Sequence, residues 1–180
     1  MPTTAPADPP KGYERIAGRL VEKPDLGARA AWAVGKLFAF VDDHCRATAT
    51  GVGLLAEASY HCFPAGTVRK PRAAFVLCDP ATFVPARGTT GRPPDLIIEA
   101  VPLAGHSADL AEKVAGFLAA GTKLAWVIDE DRRAVTVHRP DGSYIRLREP
   151  AELTGEDVLP GFAVPLSAFL PRLPPPGDAP

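Results

Sequence analysis

The sequence has no charge surplus. Twenty Lys and Arg stand against 21 Asp and Glu, a net charge of −1, so nothing in the total draws the chain to nucleic acid or acidic lipid. Any polyanion binding has to come from a local basic patch, which excludes a non-specific DNA coat protein. Long apolar runs are also absent. No stretch approaches the ~20 residues that a membrane helix needs, and residues 1–10 lack the apolar core of a secretory signal. The expectation is a soluble, cytoplasmic protein with no membrane partner. Cysteine is scarce: Cys45, Cys62 and Cys78 are odd in number and lack CxxC spacing, which argues against a disulfide framework and a zinc ribbon.

Proline, by contrast, is abundant. Nine of the 21 prolines fall in residues 1–10 and 171–180, where large apolar side chains are too few to offset the entropy of ordering. Residues 1–11 and 171–180 are therefore expected as disordered tails around a single domain at 12–170. Inside that domain proline punctuates, since it donates no hydrogen bond and biases its predecessor away from helix. Tyr13–Ile16 and Arg19–Glu22 flank Ala17-Gly18 and read as a hairpin with Ile16, Leu20 and Val21 toward the core. From Asp25, a candidate N-cap, to Arg46 no proline intervenes, and Trp32, Gly35, Leu37, Phe38 and Val41 recur at helical spacing.

Residues 51–63 and 73–78 read as strands, residues 79–94 as a long loop with a short helical turn after Pro80. Asp95–Val101 is a nearly continuous apolar run, the pattern of a central strand covered on both faces. Ser107 caps a helix to Ala120 with Leu110, Val114, Phe117 and Leu118 inward, and Lys123–Asp129 follows as a strand. Strand, helix and strand in this span predict a βαβ unit with parallel strands. Arg133–His138 and Tyr144–Arg148 surround Pro140-Asp141-Gly142 as a hairpin with one solvated face. The chain closes on Leu159-Pro160-Gly161-Phe162 and a helical turn near Leu166–Phe169. The class is α/β, bordering on α+β: a mixed sheet, two main helices and a C-terminal hairpin.

Two carboxylates, Asp95 and Glu99, stand in the apolar run, where an ionised group is costly unless paired or bound to a cation. Four residues apart on a strand, they share a face but lie roughly 13 Å apart, too far to chelate one magnesium ion without help. His44-Cys45 and His61-Cys62 invite a metal reading, yet strand neighbours point to opposite faces, so buried cysteines beside surface histidines are expected instead. His106 is a solvated loop histidine that nothing fixes as a base.

The phrases YERIAGRLVEK, RPPDLIIEAV followed by DLAEKVAGFLAAG, LAWVID with AVTVHRPDG, and VLPGF, in this order and spacing, resemble the putative restriction endonuclease family of the PD-(D/E)XK nuclease superfamily. The resemblance spans most of the body. It implies a restriction-endonuclease-like sheet flanked by helices and Mg²⁺-dependent hydrolysis of DNA phosphodiester bonds, in which two carboxylates and a carbonyl hold the ion and a lysine supports the attacking hydroxide. Carried onto this chain, Glu99 matches the strand acid and the Ala100 carbonyl the backbone ligand. Val101 stands where the superfamily lysine is usual, and Lys113 on the helix takes its place. Asp95, Glu99 and Lys113 are thus the expected catalytic residues, and Asp95, Glu99 and Ala100 the expected metal ligands.

The second metal carboxylate of the family commonly follows a proline at the neighbouring strand, but after Pro71 comes Arg72. A fixed cation there removes a ligand and adds repulsion at the metal position. The expectation is a degenerate member in which Arg72 pairs with Glu99, with Asp95 or the more distant Asp79 as substitute acids. The turn after the central strand also departs from the family, reading Pro102-Leu103-Ala104-Gly105. Glu14 and Glu22 match acidic family positions, though the general exposure of Glu makes them expected surface charges. Lys113 has its own alternative reading, a lysine snorkelling from an apolar face. Arg133, Arg139 and Arg148 are candidate phosphate contacts on the late hairpin, with a solvated edge as the alternative. The functional expectation is a Mg²⁺-dependent DNA endonuclease, dimeric if it cuts both strands. Its alternative is a catalytically inactive interaction module of the same fold.

Overall fold

The structure is a computed structural model that describes residues 7–64, 66–79, 91–103 and 107–172. The expected helical turn after Pro80, residues 104–105 and His106 lie outside them. A six-stranded sheet is built from β3 (Gly51–Leu55), β4 (Ala73–Leu77), β5 (Leu96–Ala100), β6 (Leu124–Asp129), β7 (Ala134–His138) and β8 (Tyr144–Arg148), in that spatial order. Helix α1 spans Ala28–Thr48 and α2 spans Ser107–Ala120. The hairpins β1 (Tyr13–Ile16)–β2 (Arg19–Glu22) and β9 (Glu152–Gly155)–β10 (Leu159–Pro165) are separate two-stranded sheets. All neighbours pair antiparallel except β5 and β6, which run parallel on either side of α2.

The continuous apolar runs of β5 and β6 follow from covered faces on both sides. Leu96, Ile98, Ala100, Leu124, Trp126 and Ile128 pack toward α1 and the β9–β10 hairpin. Their alternate neighbours Ile97, Ala125 and Val127 pack with Val114 and Phe117 of α2. Glu99 shares the α2 face with Ile97, because side chains alternate along a strand. No described helix is long and apolar enough to cross a membrane.

The strand expected over 51–63 ends at Leu55, because β4 supplies five partner residues, from Leu77 opposite Gly51 to Ala73 opposite Leu55. Helix α1 starts after Gly27, with no side-chain cap, rather than at Asp25. The hairpin β9–β10 and its 3₁₀ continuation at Leu166–Ala168 place Leu153, Phe162, Val164 and Phe169 in the core. The first hairpin corrects another expectation: Leu20 and Val21 are exposed, whereas Glu14 and Lys23 are buried. Of the expected tails, the described parts are held to the body. Lys70 Nζ donates to the Pro9 and Pro10 carbonyls at 3.0 and 3.1 Å, Asp8 pairs with His61 at 2.9 Å, and Arg133 donates to the Pro171 carbonyl.

Candidate active site

The first hairpin turns at Ala17 and Gly18, both at positive φ (48° and 82°), the backbone that a two-residue hairpin loop demands. It is pinned to the segment before β4. Gly18 N–H donates to the Gly66 carbonyl at 2.7 Å, while Arg15 and Val68 exchange backbone bonds at 2.9 and 2.7 Å. This docking turns Glu14 inward, onto the middle of α2 and toward the C-terminal end of β5. Lys113 enters the same space from α2, where Leu110, Val114 and Phe117 at helical spacing set the inward face.

There the Lys113 ammonium lies 2.8 Å from Glu14 Oε1 and 2.7 Å from Glu99 Oε1, and donates to the Lys70 carbonyl at 2.8 Å. All three side chains are buried. Glu14 also accepts from the Lys70 amide at 2.7 Å and from Arg69 Nη1 at 3.0 Å, and Arg69 reaches Asp109 at 3.2 Å. Burial pushes the Glu14 carboxyl up, but Lys113, the Lys70 amide and Arg69 outweigh it and hold the group below the ordinary carboxylate value. The contact with Glu99 Oε1 is short but off the hydrogen-bonding direction, so this oxygen has no hydrogen-bond donor among the described residues.

Around this core a recess is lined by Lys23, Pro24, Arg72, Ala100, Pro102 and Asp109 together with Glu14, Glu99 and Lys113. Lys23 is buried and donates to the Ala56 carbonyl at 2.7 Å, with Glu57 at 3.9 Å. Burial first, then repulsion from Lys113 and Arg72, pushes it down to about 8. Arg72 is half-buried and donates through Nη2 to the Pro24 carbonyl. The expected Arg72–Glu99 pair does not form, because Lys113 already takes Glu99 and the guanidinium turns to the loop carbonyl instead.

The structure therefore gathers Glu99, Ala100, Lys113 and Arg72 at one recess and leaves Asp95 out. Asp95 accepts from the Leu77 amide and Arg92 at 2.8 Å each and pairs with Lys123 at 2.9 Å. It locks the entry of β5, at the other end of the strand from Glu99, and the expectation that it joins a metal site is corrected accordingly. Asp79 is exposed and likewise does not line the recess. Glu14, expected at the surface, is one of the most buried carboxylates; its family position was the signal for it. Lys23 carried no signal beyond its place before Pro24. On the late hairpin, Arg133 pairs with Glu149 and Arg139 with Glu156, so two of the three candidate phosphate contacts are already neutralised. Arg148 is exposed.

A resident Mg²⁺ fits this donor set poorly. Among the described residues no group of three His, Cys, Asp or Glu side chains is placed to hold an ion. Glu14 is committed to three donors, Glu99 Oε1 faces an ammonium, and Arg72 and Lys23 add positive charge in the same recess. Asp109, the third carboxylate of the lining, is taken by Arg69 at 3.2 Å, so Glu99 and a carbonyl remain, fewer free anionic ligands than would offset that repulsion.

A mixed sheet between two helices, with a strand glutamate and a helix lysine meeting beside an entry hairpin, defines a nuclease-like α/β domain. The chain belongs to the Uma2 family, described as putative restriction endonuclease, whose model matches residues 3–167. It is similar in fold to a crystal structure of a putative nuclease belonging to DUF820 from Anabaena variabilis. That likeness has a TM-score of 0.77 and 17% identity, covering 88% of this chain and 89% of that one. No curated protein matches the sequence significantly.

Proposed function

We propose that this chain is a catalytically inactive nuclease-fold binding module that has lost metal-dependent phosphodiester hydrolysis. The observation that carries the proposal is the charge of the recess. Arg72 lines it after Pro71, where the family resemblance calls for a carboxylate, and the three acids of the lining are already paired, Glu14 and Glu99 with Lys113 and Asp109 with Arg69. Hydrolysis of a phosphodiester by this class of site needs an ion to polarise the phosphate and to acidify water, and the committed carboxylates together with the Arg72 and Lys23 charges oppose its entry.

Calorimetry with Mn²⁺ and Mg²⁺ tests this. The wild-type chain should show no saturable heat, and Arg72→Asp should acquire ion binding that is lost again when Glu99→Gln is added. Saturable binding by the wild type, abolished in Glu99→Gln and accompanied by nicking of plasmid DNA, would establish the second reading, a metal-dependent DNA endonuclease. That reading is favoured by the convergence of Glu14 and Glu99 on Lys113 and by the undonated Glu99 Oε1.

A further inference from the structure

We infer that the groove between α2 and the β7–β8 hairpin is a binding site for a small amphipathic carboxylate, with its apolar body against α2 and its anion on Arg146. The groove is distinct from the Glu99–Lys113 recess, sharing only Leu110 with that lining, and does not depend on what the recess holds. Helix α2 packs on β5 and β6 through Val114 and Phe117, leaving the groove between itself and the hairpin. Thr136 stands opposite Arg146 and His138 opposite Tyr144 in the β7–β8 register, and all four line the groove from one face of the sheet. The facing wall is α2 from Leu110 to Leu118, roughly 12 Å at a rise of about 1.5 Å per residue. Ala111 and Ala115, one turn apart on that wall, are too small to fill the gap. The space they leave is about 540 Å³, inside the roughly 300–1,000 Å³ of small-molecule clefts.

The charge of the lining selects the ligand. No Asp or Glu lines the groove, whereas Arg139 and Arg146 do. Arg139 is neutralised by Glu156 at 2.6 Å. Arg146 has no carboxylate within ion-pair distance among the described residues; its Nε donates to Thr136 Oγ1 at 3.4 Å, which holds the stem against the buried floor of the groove. Burial, then Arg146, pushes His138 down, so its ring is neutral near pH 7. One cation without a counter-charge beside an aliphatic wall suits a single anion on an apolar body, and a guanidinium matches a carboxylate with two parallel donors. Tyr144, exposed and paired with His138 at 5.9 Å between ring centroids, offers that body a second apolar surface.

Calorimetry on the full chain near pH 7 tests this with decanoate, decanol and acetate. Decanoate should bind one to one and saturate, about tenfold or more tighter than decanol, which lacks the charge, and than acetate, which lacks the apolar body. Arg146→Gln and Ala115→Trp should each weaken decanoate binding by about tenfold or more, the first by removing the charge and the second by filling the groove. Both positions are exposed, and Ala111→Trp, also at an exposed position, replaces either variant if it does not fold. No saturable binding of decanoate, decanol or acetate binding as tightly as decanoate, or an affinity unchanged in any folded variant overturns the inference. Sedimentation of the chain without ligand gives the last arm: a dimer that Ala115→Trp dissociates would assign the groove to a second copy of the chain and overturn it as well.

Discussion

Lys113 holds two buried carboxylates apart, and that makes it the residue on which the site depends most. An ammonium between Glu14 and Glu99 offsets the desolvation of both, and its removal leaves two buried negative charges facing each other. Lys113→Met should therefore lose about 3–5 kcal/mol of stability, read as a lowered midpoint in urea unfolding. The double variant Glu99→Gln, Lys113→Met should recover part of that loss, since Glu99 is no longer an uncompensated charge and Glu14 keeps Arg69 and the Lys70 amide as donors. A single-variant loss below ~1 kcal/mol, the scale of an exposed pair, would mean that water reaches the cluster. Glu99 and Lys113 were legible in the sequence because a charge inside an apolar run, or at an inward helix position, contradicts its neighbourhood. Glu14, beyond its family position, and Lys23 just after the hairpin were not: which way a four-residue hairpin strand faces is decided by what the hairpin docks against, here the Gly66–Lys70 segment, and no local pattern contains that partner.

At the scale of elements, α1 meets β3 so closely that glycine is required at Gly53, whereas Gly35, on the solvent side of α1, is merely tolerated. A Cβ on Gly53 would stand 2.7 Å from two Phe38 ring atoms and 2.8 Å from Phe75, inside the tilted Phe38–Phe75 pair. Gly53→Ala should cost roughly 1–3 kcal/mol by overpacking. Gly35, exposed within α1 and with nothing within 4 Å of its would-be Cβ, should gain about 0.5–1 kcal/mol as Ala from helix propensity. Thermal unfolding of the two variants should thus move in opposite directions, and a gain at Gly53 would refute the close packing. The βαβ core was readable because β5 and β6 are covered on both faces and α2 has a clean apolar stripe. The β9–β10 hairpin was hidden by Pro160, Gly161 and Pro165 and by the register shift between Leu159 and Ala163, which breaks the alternation that marks a strand. Helix α1 was found, but its buried side runs through Ala30, Ala33, Val34, Leu37, Val41 and Cys45, so the exposed Trp32 misled about its face.

For the whole molecule, a net charge of −1 conceals a sharply uneven distribution, and its clearest consequence is a pH dependence of folding. Lys23 is pushed from 10.5 down to about 8 in the folded chain by burial, then by Lys113 and Arg72. Below pH 8 both folded and unfolded states carry its proton, and the full penalty of the buried cation is present. Between pH 8 and 10.5 the unfolded state holds more protons than the folded one, so this group makes stability rise with pH, and above 10.5 its penalty is gone. The thiol of Cys62, raised from 9.0 to about 11 by burial, works the other way from about pH 9, as does the buried Tyr60 phenol from near its ordinary value of 10. The difference between wild type and Lys23→Met isolates the lysine from both. Chemical denaturation from pH 7 to 10 should show that difference shifting in favour of the wild type as pH rises. In an Arg72→Gln background the shift should begin at higher pH, because one of the repelling cations is gone. A difference that stays flat across the range would mean that Lys23 is solvated, and would remove the repulsion that Lys23 adds to the recess in the metal-free reading.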